Sequence, residues 1–256
     1  MSRRRLDAEL VTRGLARSRQ DAQDLIAQRR VTVGGAMAEK ATRQVSKSEP
    51  IHVTGPPPRF VGRGGHKLEH ALASFGVDPT DKHCLDAGSS TGGFTDCLIQ
   101  EGAASVVAVD VGTNQLHEHL RNNPQITVCE NTDIRAVDIA DYASSPQATG
   151  FDLIVGDLSF ISTRSLLANF AHLLGADGDL ILLVKPQFEA GRKEVSKTKG
   201  IIRDPAIWVR VLHEFIDAAN NAGLVVTDLA ISPITGGKGN VEFLAHLHHL
   251  DPDPQY

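Results

Sequence analysis

The chain has 256 residues, 41% hydrophobic and 22% charged, an ordinary globular composition that suits one sizeable core plus a small extra domain. No apolar run approaches the roughly 18 residues of a membrane span. The start MSRRRLDAEL lacks the apolar stretch of a secretory signal, and Cys84, Cys97 and Cys129 form no CxxC, which fits structural thiols in a reducing cytosol. Residues 1–60 carry 12 Lys+Arg and 6 Asp+Glu, net +6, while the remaining 14 and 25 give the body net −11, so a basic head suited to a polyanion precedes an acidic body.

In the head, LDAELVTRG has apolar Leu6, Leu10 and Val11 at helical spacing and Gly14 as a stop. Ser18-Arg19-Gln20-Asp21 has the form of a capping box and opens a second helix through DAQDLIAQRR. RVTVGG alternates as a strand into a glycine turn, and PIHV is a further short strand. Arg3, Arg4, Arg5, Arg13, Arg17, Arg19, Arg29 and Arg30 dominate the helices, and arginine suits bidentate phosphate contacts. The stretch RLDAELVTRGLARSRQDAQDLIAQRRVTVGG resembles an S4 RNA-binding domain. The resemblance implies binding to structured, ribosomal RNA by these arginines, with Arg63 beyond them.

GPPPRF stiffens a linker and forbids strand pairing. The expected division is an S4-like domain over 1–58, a linker over 59–63 and a second domain over 64–256. In that second domain HCLDAG, SVVAVDV, QITVCE, FDLIVGD, DLILLVK, LVVTDLAISP and VEFLAHL have strand character. Helical segments such as FTDCLIQEG, NQLHEHLRNN, TRSLLANFAHLL and AIWVRVLHEFIDAANNAG alternate with them. That alternation predicts an α/β fold with a mostly parallel sheet covered by helices on both faces. SPITGGKGN is too short to hold a crossover helix, so the last two strands should be antiparallel. Seven strands with an antiparallel last one resemble the Rossmann-like class I methyltransferases.

LDAGSSTGGFTDCL follows the first strand of the body and opens a helix. Its Gly88, Gly92 and Gly93 do not make G-x-G-x-x-G, and no GK[ST] makes a P-loop. Asp86 before the first glycine suits an amine-bearing or cationic ligand better than a pyrophosphate. S-adenosylmethionine (SAM), with an amino-acid end and a sulfonium, is such a ligand, and Ser89 and Phe94 belong to the same stretch. Asp110, 24 residues after Asp86, is placed to accept from ribose hydroxyls, and Asp133 after the third strand is placed to meet an adenine amino group. A lone aspartate at such a place can instead cap a helix.

LILLVKPQFE raises the question of why a buried strand should deliver an ammonium group. At a strand's carboxyl end in an open α/β sheet, Lys185 would sit where ligands bind. Lys67 in RGGHKLEHAL, Asp157 after FDLIVG, Lys185 and Glu242 in GNVEFLAHL resemble the Lys-Asp-Lys-Glu tetrad of FtsJ-like ribose 2′-O-methyltransferases. The resemblance implies that Lys185 is the base that takes the 2′-hydroxyl proton. A lysine can do this when burial and neighbouring cations lower its pKa from about 10.4. Lys67 would be the second cation, Asp157 would orient Lys185 beside the methyl donor, and Glu242 would orient Lys67 or the ribose. The order of all these motifs resembles the TlyA (hemolysin A) family of ribosomal RNA cytidine 2′-O-methyltransferases over nearly the whole chain. It implies a cytoplasmic enzyme whose partners are ribosomal RNA or ribosomal subunits, small, large or both. Phe60 stands in the linker where the family pattern has tryptophan, so docking of the domains is expected to differ.

GRKEVSKTKGIIRDP forms a polar loop whose Arg192, Lys193, Lys197, Lys199 and Arg203 can clamp RNA phosphates. Phe160 and Phe188 lie near the site and can stack on a base, although core packing is the plainer expectation. His246, His248 and His249 in HLHHL lack a second ligand cluster, so no metal is expected. The rival readings are a non-catalytic RNA-binding assembly factor, which would bind without turnover, and a membrane-active hemolysin, for which no span argues.

Overall fold

The computed structural model describes residues 3–16, 19–56, 58–142, 149–236 and 239–250, with only the backbone described for Gln20, Arg192, Lys193 and Lys197. The chain divides into two compact units, Met1–Gly62 and Arg63–Tyr256.

The first unit runs β1 (Arg3–Arg5), α1 (Leu6–Thr12), α2 (Arg19–Ala27), β2 (Val31–Val33), β3 (Ala36–Met37), β4 (Gln44–Ser46) and β5 (Ile51–Val53). Gly14 ends the first helical turn region at φ 67°. Gly34 and Gly35, at φ 61° and 81°, turn β2 into β3 as a two-residue hairpin requires. Leu6, Leu10, Ala22, Leu25, Ile26, Val31 and Val33 form its core. Arg3–Arg5 are not helical as expected. They form β1 and pair antiparallel with β4, because Arg4 lies opposite Val45 in a ladder that no local helical pattern competes with. Ser18 of the expected capping box lies outside the described residues.

The second unit runs α3 (Gly64–Phe75), β6 (His83–Ala87), α4 (Gly93–Gln100), β7 (Ser105–Val109), α5 (Glu118–Arg121), β8 (Ile126–Cys129), β9 (Phe151–Gly156), α6 (Leu167–Leu173), β10 (Leu174–Val184), α7 (Pro186–Glu189), α8 (Arg192–Lys197), α9 (Pro205–Asn221), β11 (Leu224–Ile231) and β12 (Phe243–His249). Its sheet has the order β11-β12-β10-β9-β6-β7-β8. All neighbours are parallel except β12, which is antiparallel to both β10 and β11. This is the class I methyltransferase arrangement, with the antiparallel strand inserted one place in from the edge. Leu85, Ile154, Leu180, Leu182 and Val184 are buried among residues of the flanking helices, which is why these strands are near-continuous apolar runs. In α9, Val211, Phe215 and Ala219 recur at helical spacing and are buried; Asp204 caps the helix by accepting from the Ala206 amide, with Pro205 at its first position.

Strand order reverses at β6, which has β7 on one side and β9 on the other. The loops after the carboxyl ends of β6 and β9 diverge there and leave a crevice, the general ligand site of open α/β sheets.

Candidate active site

Two adjoining cavities open at these strand ends. One, about 430 Å³, is lined by Gly88, Asp110, Gln115, Asp133, Ile134 and Phe160, among others. The other, about 340 Å³, is lined by Arg63, Lys67, Ser89, Lys185, Phe188 and Glu242, among others. Gly88, Ser90, Asp157 and Ser159 border both.

The glycine loop is shaped by close approach. Gly88 has φ 83°, and a Cβ there would come within 3.2 Å of the Asp157 carbonyl oxygen. Gly92, at φ 94°, would drive a Cβ to 2.3 Å from Leu120 Cδ1. Asp86 is fully buried; its Oδ2 accepts from the Thr95 amide (2.9 Å) and hydroxyl (2.6 Å). Burial pushes its carboxyl up to about 7 despite those two bonds. Its Oδ1 is buried with no hydrogen-bond partner among the described residues. An orphaned acceptor beside a glycine cradle fits a ligand that brings its own donor, as the ammonium of SAM does.

Asp110 accepts from the Ser90 amide (2.8 Å) and the Gly112 amide (2.7 Å), so it also braces the loop. Asp133 caps the 3-10 turn Ile134–Ala136 by accepting from the Arg135 amide (2.9 Å) and pairs with the Arg135 guanidinium, which holds it down to about 2. The capping role open to any aspartate at such a position is therefore realised here, on a residue that still borders the cavity.

The four expected tetrad residues converge. Lys67 projects from the first turn of α3 and donates to Glu242 Oε2 (2.8 Å) and Asp157 Oδ2 (3.2 Å). Lys185 Nζ lies 2.5 Å from Asp157 Oδ1 and donates to Ser159 Oγ (2.9 Å). Glu242 stands one residue before β12 rather than on it; Gln187 donates to its Oε1 (3.2 Å). Lys67, Lys185 and Glu242 are all less than a tenth exposed. Burial would lower the Lys67 ammonium's pKa, but Asp157 and Glu242 outweigh it and hold it above its usual range. Burial would raise that of Asp157, but Lys185 and Lys67 outweigh it and keep the group ionised.

Phe160 is not core. It is 92% exposed, at φ 67°, a conformation costly for an aromatic residue, with its ring 5.4 Å from that of Phe188. Phe188 lies below Lys185, whose Nζ is 5.6 Å from the ring centre. The turn that presents Phe160 is tied down by buried Glu189, which accepts from Ser162 Oγ (2.5 Å), the Thr163 amide (2.6 Å) and Arg164 Nε (3.0 Å). Ser159, Gln187 and Glu189 escaped the sequence reading. The only signal for them is adjacency to Asp157 and Lys185, because uncharged or distant partners leave no pattern of their own.

The segment after Lys185 is more ordered than a polar loop: α8 forms within it. Asn240 then anchors the chain beyond α8 by accepting from the Ile202 amide (2.9 Å) and donating to the Gly200 carbonyl (2.8 Å). The side chains of Arg192, Lys193 and Lys197 lie outside what is described. In the head, Arg13 donates to Glu9, the Glu49 carbonyl and the Ser46 carbonyl, and Arg30 donates to the Thr54 and Pro56 carbonyls. Arg5 and Arg19 both reach buried Asp7. Arg3 and Arg4 are exposed, with contacts to Glu49 and Thr12, and Arg29 is exposed. Arg17 lies outside the described residues.

The FtsJ-like methyltransferase family matches residues 60–249, and the S4 domain matches residues 4–51. The 16S/23S rRNA (cytidine-2′-O)-methyltransferase TlyA of Mycobacterium tuberculosis is 42% identical over 251 residues, 96% of this chain and 91% of that one. The 23S rRNA (cytidine-2′-O)-methyltransferase TlyA of Campylobacter jejuni is 39% identical over 184 residues, 72% of this chain and 69% of that one. A solved structure from Streptococcus thermophilus, described as a candidate hemolysin, has a TM-score of 0.77 at 37% identity, covering 98% of this chain and 90% of that one.

Proposed function

The chain belongs to the TlyA family, an S4 domain joined to an FtsJ-like methyltransferase domain, and from that premise we propose that it methylates a cytidine ribose 2′-hydroxyl of ribosomal RNA with SAM, in the cytoplasm. The observation that carries the reading is the chain of ion pairs Lys185–Asp157–Lys67–Glu242 beside the cofactor cavity.

Bound SAM supplies a methyl group on a positively charged sulfur that leaves as a neutral thioether. Asp86 and the Gly88–Phe94 loop would hold its amino-acid end, Asp110 its ribose and the Asp133 region its adenine. The chain's own residues divide the remaining work. Lys67 is held by two carboxylates and stays protonated, so it serves as a fixed cation that positions the hydroxyl oxygen. Lys185, with one carboxylate and a serine hydroxyl for partners, first gives up its own proton to solvent and then, as the neutral amine, takes the hydroxyl proton as the oxygen attacks the methyl group. Asp157 holds both lysines, and Glu242, braced by Gln187, fixes Lys67. Exposed Phe160, in its strained conformation over Phe188, supplies an aromatic face for an unstacked cytosine next to Lys185.

The arginine-rich start favours action on both subunits, as the name of the M. tuberculosis relative states for that protein. Among the described residues no helix is long and apolar enough to cross a membrane, so a lytic reading gains no support from one. The test is transfer of labelled methyl from SAM to purified small and large ribosomal subunits by wild type and Lys185→Ala. Label in 2′-O-methylcytidine that the variant cannot deposit supports the reading. Tight binding of SAM and RNA with no transfer by wild type overturns it in favour of an assembly factor.

A further inference from the structure

The histidine-rich end of the chain acquires in the fold the ligand that it lacks in sequence. His246 and His248 point to one face of β12, and Asp179 at the start of the regular part of β10 lies on the same face of the adjacent strand. Asp179 Oδ1 is 2.9 Å from His246 Nε2 and 3.7 Å from His248 Nδ1, and one ligand atom from each of the three residues lies within 4.8 Å of the other two. A tetrahedral ion bound at about 2.0–2.2 Å needs ligand separations of about 3.3–3.6 Å, which the first two distances bracket.

The surroundings are built to hold these groups. His246 is 5% exposed, and its ring stacks on Phe75 with centroids 5.4 Å apart and planes at 12°. Strand β11 is irregular between Val226 and Asp228, and the intervening Thr227 brings its hydroxyl to 3.3 Å from His246 Nδ1. A partner at Nδ1 orients the ring so that Nε2 faces Asp179, and an ion bound there would replace the proton that Nε2 now shares with Asp179 Oδ1. The Gly178 carbonyl oxygen, 3.4 Å from His248 Nδ1, is a ready fourth ligand. A Cβ at Gly178 would meet the Phe151 carbonyl oxygen at 2.8 Å, so this backbone approach needs glycine.

We propose that Asp179, His246 and His248 bind a zinc-type divalent transition-metal ion that clips β10 to β12. Two imidazoles and one carboxylate select such an ion over magnesium or calcium, which prefer all-oxygen sites. The site lies six residues before Lys185 on β10, about 20 Å along the strand, so it is separate from the methyl-transfer site. Lys82 sits 2.6 Å from Asp179 Oδ2, on the oxygen turned away from the histidines, and competes with the ion for the carboxylate.

The test uses the untagged full chain, freed of metal with a chelator and titrated with Zn²⁺ by calorimetry and with Co²⁺ by visible absorption. One equivalent should bind with micromolar or tighter affinity and raise the melting temperature. His248→Ala, whose side chain is partly exposed and leaves the Phe75 stack intact, should weaken binding by at least about tenfold, as should Asp179→Asn. Lys82→Met should tighten it by removing the competing cation. Absence of saturable binding below about 100 μM overturns the proposal, as does binding whose stoichiometry and affinity are the same in His248→Ala.

Discussion

At the residue scale, the two lysines of the site are chemically unequal. Lys67 answers two carboxylates and Lys185 answers one, so substitution should separate their roles. Lys185→Ala should cut methyl transfer by at least about 100-fold while leaving SAM affinity near wild type, because a general base contributes to the transition state rather than to cofactor binding. Equilibrium SAM binding and single-turnover transfer would check both halves. Asp86 gives a pH signature. In the folded chain its carboxyl keeps a proton up to about 7, whereas unfolded it ionises near about 4. Folding therefore retains a proton between those values, and wild type should lose stability as pH rises across that window, then level off. Asp86→Asn can still accept both Thr95 bonds and cannot ionise, so its melting temperature should gain on wild type over the same window. Wild-type SAM affinity should rise with pH through about 7, since the carboxylate form pairs with an ammonium, and that slope should vanish in the variant.

At the element scale, the opening of α4 depends on a residue without a side chain. Gly92→Ala would force a Cβ against Leu120 and Leu116 from a positive-φ backbone. The expected cost is about 1–3 kcal/mol from overpacking, visible in a urea midpoint, together with weaker SAM binding as the loop shifts. In α1, buried Asp7 is held well below the carboxylate range, first by its bonds from Arg5 and then by those from Gln23, Arg19 and the Ala8 amide. Asp7→Ala should cost the head about 1–3 kcal/mol at neutral pH. Because the folded pKa is depressed, this contribution is whole above about pH 4 and fades as pH falls below it. Amide exchange across residues 6–27 as a function of pH would measure it.

At the scale of the whole molecule, the basic head on an acidic body makes RNA binding a matter of counterion release. Several of the head's arginines are spent on the fold, so its phosphate contacts should come mainly from the exposed ones. Combined substitution of Arg3, Arg4 and Arg29 by alanine should weaken ribosomal RNA binding and flatten the slope of log affinity against log salt by about 2–3. A slope unchanged in filter-binding titrations would place the phosphate contacts elsewhere.

Local chemistry was enough to announce the strands of the second unit, the glycine loop and the crossing from a basic head to an acidic body, while the two lysines with their carboxylates were grouped by resemblance to the FtsJ-like tetrad. Strand-forming runs, turn residues and motif spacings are short-range properties, and they survive in one dimension. Tertiary structure decided what depends on partners far apart in sequence. It decided that Arg3–Arg5 pair with β4, that Arg13 and Arg30 hold carbonyls of their own domain, and that Asp133 caps a turn. It also decided that Phe160 faces solvent while Glu189 pins its turn, and that Asp179 comes to stand beside His246 and His248. The physical reason is the same in each case: burial and hydrogen-bond satisfaction are settled by the groups a fold brings within about 3 Å, and these lie up to 175 residues apart, as Lys67 and Glu242 do.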